Sequence, residues 1–227
     1  MNSLPHKKET SLAIQCYEYL EENIINGTFT PGQKLKIKDL KELLNVGQSP
    51  LREALSRLIA SGLIQAEEHK GFRVSRLSES DVRDTYRTFL HIEMLALTQA
   101  LQLGDDAWEA TIVGALHQLA LVETKKEPVA YAVWTKQNYA FHVALISGCN
   151  SPLLLHLRAE VYRRFDRYCR ISFTLSHDKL SFNHEEHKKL ATAVLQRDEK
   201  TALELMTDHI MGALEDVILT LKKNKLL

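Results

Sequence analysis

Apolar side chains recur at helical spacing in three separate stretches at the start of the chain. Residues 11–26 carry apolar side chains at four-residue steps and end at an Asn-Gly pair, which favours a helix end. A second stretch follows Pro31 and ends near Asn45, and a third covers residues 49–61. Serine is a preferred N-cap and proline fits the first helical position, so we expect Ser49 to cap the third helix. The pattern predicts three short helices.

The third predicted helix has one apolar face and one polar face. The apolar positions share one face and are Leu51, Ala54, Leu55 and Leu58. The polar positions follow the same spacing on the opposite face and are Ser49, Arg52, Glu53 and Ser56. We therefore expect the first face to pack in a core and the second to be free to contact another molecule.

The segment after the third helix changes to a two-residue period. Residues 63–67 and 71–75 alternate apolar and polar positions around a short connection at 68–70. This alternation is typical of a β-hairpin. A hairpin after three helices predicts a winged helix-turn-helix.

The rest of the chain is helical in pattern almost to its end. Breaks that contain glycine, proline, serine, asparagine or aspartate separate six predicted helices, over 79–102, 106–123, 128–147, 152–175, 181–196 and 199–223. We therefore predict a mainly α fold with two domains. Residues 1–78 form the winged helix-turn-helix, and residues 79–227 form an all-helical bundle.

The overall charge hides a local asymmetry. The 29 Lys+Arg balance the 29 Asp+Glu, but nine basic side chains oppose five acidic ones within residues 32–76. This local excess indicates a module that faces an anion. No apolar run approaches the roughly 18 residues of a membrane span. Charged residues also interrupt any signal-peptide core in the first 25 residues, so we expect a cytoplasmic protein with no membrane partner.

A long ordered motif runs through the predicted winged module. It begins with Pro31-Gly32 and Leu35, continues with Ser49-Pro50-Leu51-Arg52-Glu53-Ala54-Leu55, and ends with Gly62-Leu63-Ile64 and Gly71. This set resembles the winged helix-turn-helix of the GntR family of bacterial regulators over residues 25–74. Its length makes coincidence a poor explanation.

The resemblance implies that the module binds double-stranded operator DNA. In a helix-turn-helix the second of the two helices places its N-terminal end in the major groove. The residues that the resemblance assigns to DNA contact are Lys38, Gln48, Ser49, Pro50 and Arg52 on the helices and Lys70 and Gly71 at the wing tip. Gln48 stands where many members have arginine. Glutamine pairs with adenine whereas arginine prefers guanine, so the base preference at this position is open.

Three segments of the helical part resemble the FCD effector-binding domain of the FadR-like branch of that family. They lie at 138–154, 186–190 and 202–210. The resemblance implies a divalent metal ion, zinc or nickel, held by Asn138, His142, His187 and His209. Residues 138 and 142 are one turn apart on one helix, which suits a shared site. The branch has aspartate at the first of these positions, and an amide oxygen attracts a cation less, so we expect weaker binding or a different ion.

These features predict a homodimeric regulator, a repressor, that binds a pseudo-palindromic operator and responds to a small organic acid at the metal. One alternative keeps the DNA module but gives the bundle a metal-free pocket for an acyl or lipid ligand. A remote alternative is a metallohydrolase, because three histidines and an open coordination position can activate water. No convincing general base accompanies the histidines, so we expect no enzymatic activity.

Two further features concern an anionic effector. The predicted helix over 152–175 carries five arginines, namely Arg158, Arg163, Arg164, Arg167 and Arg170. They suit either an anionic effector or a solvated or interdomain salt-bridging face, and we favour the second interpretation. Many FCD members have arginine one turn before the position of Glu93, and this chain has Phe89 there.

Overall fold

The computed structural model describes residues 11–67, 71–125, 131–176 and 184–227. The chain divides into two compact units. The first contains residues 1–82, 162–176 and 217–227, and the second contains residues 83–161 and 177–216. The predicted boundary between residues 78 and 79 stays a prediction.

The first unit opens with three helices, as the apolar pattern predicted. They are α1 (Leu12–Ile25), α2 (Ile37–Leu44) and α3 (Gln48–Ala60). The hydroxyl of Ser11 caps α1 by accepting the amide of Ile14 at 3.3 Å. The prediction that Ser49 caps α3 is wrong, because α3 already begins at Gln48 and its N-cap is the extended Gly47. Ser49 and Pro50 therefore lie within the first turn of α3.

A small antiparallel sheet completes the winged module. Its strands are β1 (Lys34–Leu35), β2 (Ile64–Glu67) and β3 (Gly71–Val74), in the order β1-β3-β2. The predicted hairpin corresponds to β2 and β3, which pair in register from Ile64 with Val74 to Glu67 with Gly71. Strand β1 was not predicted, because two residues are too few to show an alternating pattern.

The core of the first unit is aliphatic. Its buried members are Cys16, Leu20, Ile24, Leu35, Leu40, Leu44, Leu51, Ala54, Leu55, Leu58, Leu63, Ile64 and Val74. All four residues of the predicted apolar face of α3 belong to it, and all four residues of the polar face are exposed. This burial fixes α3 against α1 and leaves one edge of α3 in contact with solvent.

The six helices predicted beyond residue 78 are all present among the described residues. They are α4 (Glu79–Leu103), α5 (Asp106–Glu123), α6 (Tyr131–Ser147), α7 (Pro152–Ser176), α8 (His184–Leu195) and α9 (Glu199–Lys223). Helices α4, α7 and α9 each contribute residues to both units. No helix in the described part of the chain is long and apolar enough to span a membrane.

Trp108 fixes the position of α6 within the second unit. Its indole Nε1 donates to the carbonyl of Ala144 at 2.9 Å, across the α5–α6 packing. The ring lies directly on Gly104 and Gly148, where an added Cβ would stand 2.1 Å and 3.0 Å from ring atoms. This contact anchors the turn of α6 that follows His142, so it helps to set the depth of that histidine.

Candidate functional site

The first candidate surface is the exposed edge of α3. Gln48, Ser49 and Arg52 are all exposed at the start of this helix. With its amide oxygen turned toward Arg52, Gln48 accepts from both Nε and a terminal NH2 of that guanidinium, each at 2.9 Å. These two hydrogen bonds hold one edge of the Arg52 guanidinium. Gln48 does not engage its other terminal nitrogen.

The neighbouring arginine on α3 is held differently. Arg57 pairs with Glu53 at 2.6 Å, one turn apart on the solvent face. Its charge is therefore balanced locally, whereas Arg52 is held by a neutral amide. The structure distinguishes two arginines that are alike in the sequence.

The other residues predicted to contact DNA occupy two further places on the first unit. Lys38 is exposed in the first turn of α2, and Pro50 is partly exposed in α3. Gly71 opens β3 with φ of 92°, a conformation that glycine adopts readily. Lys70 lies outside the described residues. The structure thus brings Gln48, Ser49 and Arg52 together and leaves Lys38 and Gly71 on other elements.

The second candidate site is a cluster of three histidines in the second unit. His142 lies on α6, His187 on α8 and His209 on α9. One ring nitrogen of each lies within 4.8 Å of the other two. The ring centroids of His142 and His209 are stacked at 4.9 Å, and those of His187 and His209 are also 4.9 Å apart. We call this set the histidine centre.

The histidine centre favours neutral imidazoles. Burial, the two neighbouring imidazoles and Arg158 hold the pKa of His142 well below its usual 6.5. Burial also lowers the pKa of His209, and His187 adds to the effect. A neutral imidazole offers a lone pair, which is the form that binds a transition metal.

Two carboxylates contact the outer nitrogens of this centre, and the sequence analysis missed the role of both. Glu123 at the end of α5 lies 3.0 Å from Nδ1 of His187, and Glu186 lies 3.2 Å from Nδ1 of His209. Burial acts to raise the pKa of Glu123, but hydrogen bonds led by that of His187 outweigh it and lower the pKa. A carboxylate on Nδ1 fixes the tautomer and leaves Nε2 as the ligand atom.

Two buried polar atoms test whether a metal fits. Nε2 of His187 and Oδ1 of Asn138 are buried and have no hydrogen-bond partner in the described part of the chain. Buried polar atoms rarely stay unsatisfied, so each points to a partner that is neither a described side chain nor backbone. Asn138 lies one turn before His142 on α6. The residues present therefore fit a divalent ion with nitrogen and oxygen ligands.

A buried ion pair lies beside the histidine centre. The Nε of Arg158 on α7 donates to Glu93 on α4 at 2.7 Å, and burial raises the pKa of that glutamate. The guanidinium carbon lies 5.2 Å from the ring centroid of Phe89 and 4.8 Å from that of Tyr139. Phe89 stands where many FCD members have arginine, and the guanidinium of Arg158 from α7 lies over its ring.

Two family models match this chain. The model described as "Bacterial regulatory proteins, gntR family" matches residues 12–74, and the FCD domain matches residues 84–212. The chain belongs to the GntR family. Its exposed α3 edge lies within the first match and its histidine centre within the second.

Curated relatives support the assignment of this chain to the GntR family. The chain is 35% identical over 218 residues, 94% of this chain and 88% of the other, to "Uncharacterized HTH-type transcriptional regulator BphR" of Paraburkholderia xenovorans (strain LB400). It is 34% identical over 206 residues, 89% of this chain and 94% of the other, to "HTH-type transcriptional repressor GlaR" of Escherichia coli (strain K12). Families and relatives are DNA-binding transcriptional regulators and not enzymes.

A solved structure supports the fold. The structure titled "E. coli McbR/YncC" shares 19% sequence identity, with a TM-score of 0.72 over 92% of this chain and 98% of that chain. The predicted mainly α fold, a winged helix-turn-helix with an FCD helical domain, is therefore confirmed.

Proposed function

We propose that this GntR-family regulator binds a pseudo-palindromic operator as a homodimer and acts as a repressor. The exposed edge of α3 carries this proposal, because its polar side chains face solvent while its apolar side chains form the core. Arg52 contacts a base edge, with Gln48, Ser49 and Pro50 beside it. Lys38 and Lys70 contact phosphates, and the backbone at Gly71 approaches the minor groove. Such a protein acts in the cytoplasm, where the bacterial chromosome lies.

Pairing of two copies supplies the affinity that one module lacks. A single winged module makes few base contacts, whereas two half-sites reach dissociation constants of roughly 10⁻⁸ M or tighter. Analytical ultracentrifugation tests the dimer, and footprinting on the promoter of the protein's own gene tests the operator. We expect a dimer and a protected sequence with two-fold symmetry. A monomer that protects one half-site would contradict the proposal.

Salt dependence tests whether phosphate contacts contribute. The logarithm of operator affinity should fall linearly with the logarithm of salt concentration, with a slope of about −0.9 for each phosphate neutralised. Lys38→Ala should make this slope less negative by about one for each half-site contacted. Lys223→Ala, a change of the same charge at the end of α9, should leave the slope unchanged. An unchanged slope in both variants would place Lys38 away from DNA.

We further propose that Asn138, His142, His187 and His209 hold a divalent ion, zinc or nickel, at which a small carboxylate effector binds. The lowered pKa of His142 and the unsatisfied atoms of His187 and Asn138 support this site. The ion would supply Lewis-acid coordination to the effector. Glu123 and Glu186 orient the imidazoles.

Elemental analysis tests the metal. Purified protein should contain about one divalent ion per chain, and His142→Ala should lose it. His117→Ala is the matched control, because His117 is exposed on α5. A native protein free of metal that instead binds an acyl or lipid ligand would favour the alternative pocket.

A further inference from the structure

A second polar cavity lies in the first unit and takes no part in the proposed function. Its volume is about 610 Å³, within the range of about 300–1,000 Å³ typical of small-molecule sites. Its charged lining residues are Arg76, Arg164, Arg167 and Asp81. We call it the arginine cavity. All of its lining residues belong to the first unit, so it is distinct from the histidine centre.

The arginine cavity, at about 610 Å³, is larger than the pocket of about 370 Å³ between Glu185 and Leu205 in the second unit. Besides the charged residues, its lining includes the hydroxyl side chains of Ser75, Ser78 and Tyr168. The hydroxyls of Ser75 and Tyr168 already donate to the carbonyl of Gly62 and to Asp81, so the cavity combines room for a small organic molecule with donors that come mainly from its arginines.

Arg167 is the most buried charge of this cavity. Its side chain lies on α7, and only 4% of the residue is exposed. One terminal nitrogen donates to the carbonyl of Ser75, but Nε is buried without a hydrogen-bond partner in the described part of the chain. Arg167 forms no ion pair with a carboxylate among the described residues, and burial lowers its pKa. Asp81 attracts Arg167 electrostatically without forming an ion pair with it, so this buried cation can accept a further anionic partner.

Arg164 and Arg76 add two further guanidinium groups. The Nε of Arg164 donates to the carbonyl of Ser61 at 3.1 Å. Its guanidinium lies against Gly62, where an added Cβ would stand 2.2 Å from a terminal nitrogen. Arg76 reaches the cavity from the segment between β3 and α4, and it is exposed. Three cations thus approach from two separate segments of the chain.

The single acidic residue of the lining is already engaged. Asp81, in the first turn of α4, accepts a hydrogen bond from the hydroxyl of Tyr168, and its backbone amide donates to Ser78 at 3.1 Å. Three arginines and one aspartate leave an excess of two positive charges in the lining. The amino end of α4 adds a positive dipole end to the same cavity. The lining is therefore matched to a doubly negative ligand.

We propose that the arginine cavity binds the phosphate group of a small organic phosphate. A phosphate monoester carries up to two negative charges and three terminal oxygens, which suits guanidinium donors from several directions. A carboxylate is planar and offers only two oxygens. The remaining volume accommodates the organic part. This site is separate from the histidine centre and does not depend on the metal proposed there.

Isothermal titration calorimetry with glycerol 3-phosphate and with inorganic phosphate tests the proposal. The titrations are run on the full chain at about pH 8, where phosphate esters are doubly charged because their second pKa is about 6. Sodium chloride at the same ionic strength and succinate serve as comparison ligands. We expect one saturable phosphate site per chain, with no comparable heat from chloride and weaker binding of succinate.

Variants identify the site. Arg76→Gln and Arg164→Gln should each weaken phosphate binding by about tenfold, because each removes a charge-assisted contact. Arg87→Gln is the matched control, since Arg87 is exposed in the second unit and pairs only distantly, at 3.7 Å, with Asp84. Arg167→Gln should abolish binding, and circular dichroism checks that it folds. If Arg167→Gln does not fold, Arg76→Gln and Arg164→Gln still test whether phosphate binds in the arginine cavity.

Three results would overturn the proposal. Binding that is equal in wild type, Arg76→Gln and Arg164→Gln would exclude the arginine cavity. Succinate that binds as tightly as glycerol 3-phosphate would exclude specificity for phosphate. Loss of phosphate binding in His142→Ala, with the arginines intact, would assign the ligand to the histidine centre. Unchanged binding in that variant supports the arginine cavity, even if no metal binds at the histidine centre.

Discussion

The exposed edge of α3 and the histidine centre place their ionisable side chains in opposite environments. At the edge of α3, Arg52 is exposed to solvent, and a neutral amide holds its guanidinium in place. In the histidine centre, burial drives His142 and His209 toward their neutral forms. An anionic polymer needs the first environment and a metal ion needs the second. Exposure therefore suits the edge of α3 to an anionic partner, whereas burial together with neighbouring cationic groups suits the histidine centre to a metal ion.

The largest effect should come from removing a buried ligand. His187→Ala should lower metal affinity by more than the roughly 10–100-fold expected for an outer contact, because it removes a ligand itself. Inductively coupled plasma mass spectrometry after dialysis measures the loss. Operator affinity of the metal-free wild type and of metal-free His187→Ala should be the same. A large difference between them would mean that the imidazole supports the DNA module by itself.

The next effect should come from the exposed edge. Arg52→Ala should lower operator affinity by about 10–100-fold, since a bidentate contact to guanine discriminates by roughly 1–3 kcal/mol. Fluorescence anisotropy with labelled operator measures it. Arg57→Ala on the same helix removes the same charge but one that Glu53 balances, so its effect should be several-fold smaller. Equal losses in both variants would indicate a nonspecific electrostatic contribution.

A milder change should come from the carboxylate outside the histidine centre. Glu123→Gln keeps an acceptor oxygen for His187 but removes the charge that polarises the ring, so metal affinity should fall by about tenfold. Competition with a chelating dye measures this affinity. Glu109→Gln on the same helix, where the carboxylate pairs with Arg197, is the control and should leave the metal affinity unchanged.

The smallest effect concerns pH. The pKa of His142 in the folded protein lies well below its usual 6.5, so below pH 6.5 the unfolded chain binds more protons than the folded one. The metal-free protein should therefore lose stability as the pH falls from 6.5, by up to about 1.4 kcal/mol per pH unit from this residue. Urea unfolding at several pH values measures it. His142→Gln should flatten the dependence, and an unchanged slope would contradict the assignment.

The sequence was sufficient to predict most of the fold, because apolar positions at helical spacing and clear breaks between helices recur along most of the chain. Four apolar positions on α3 predicted its buried face, and breaks at glycine, proline and polar residues located the six later helices. The start of α3 was misplaced, because Ser49 is a good N-cap in general but Gly47 already turns the chain. Strand β1 was too short to leave a pattern.

The candidate sites were predictable only in part. Three histidines far apart in sequence were proposed as one cluster from local motifs, and the structure places them within 4.8 Å. Glu123 carries no such motif, and only the packing of α5 against α8 brings it to His187. The arginines of α7 form the solvated or salt-bridging face that we favoured only in part. Arg158 and Arg170 do form ion pairs, whereas Arg164 and Arg167 donate to backbone carbonyls.

Gly62 illustrates how one residue can satisfy two independent demands. It has φ of 69°, which turns the chain from α3 toward β2, and its missing side chain leaves room for the guanidinium of Arg164. Alanine would strain the backbone at this φ, and its Cβ would displace the flexible end of Arg164 from its hydrogen bond to Ser61. A saturation library at this codon, selected for a folded repressor, should therefore be enriched in glycine.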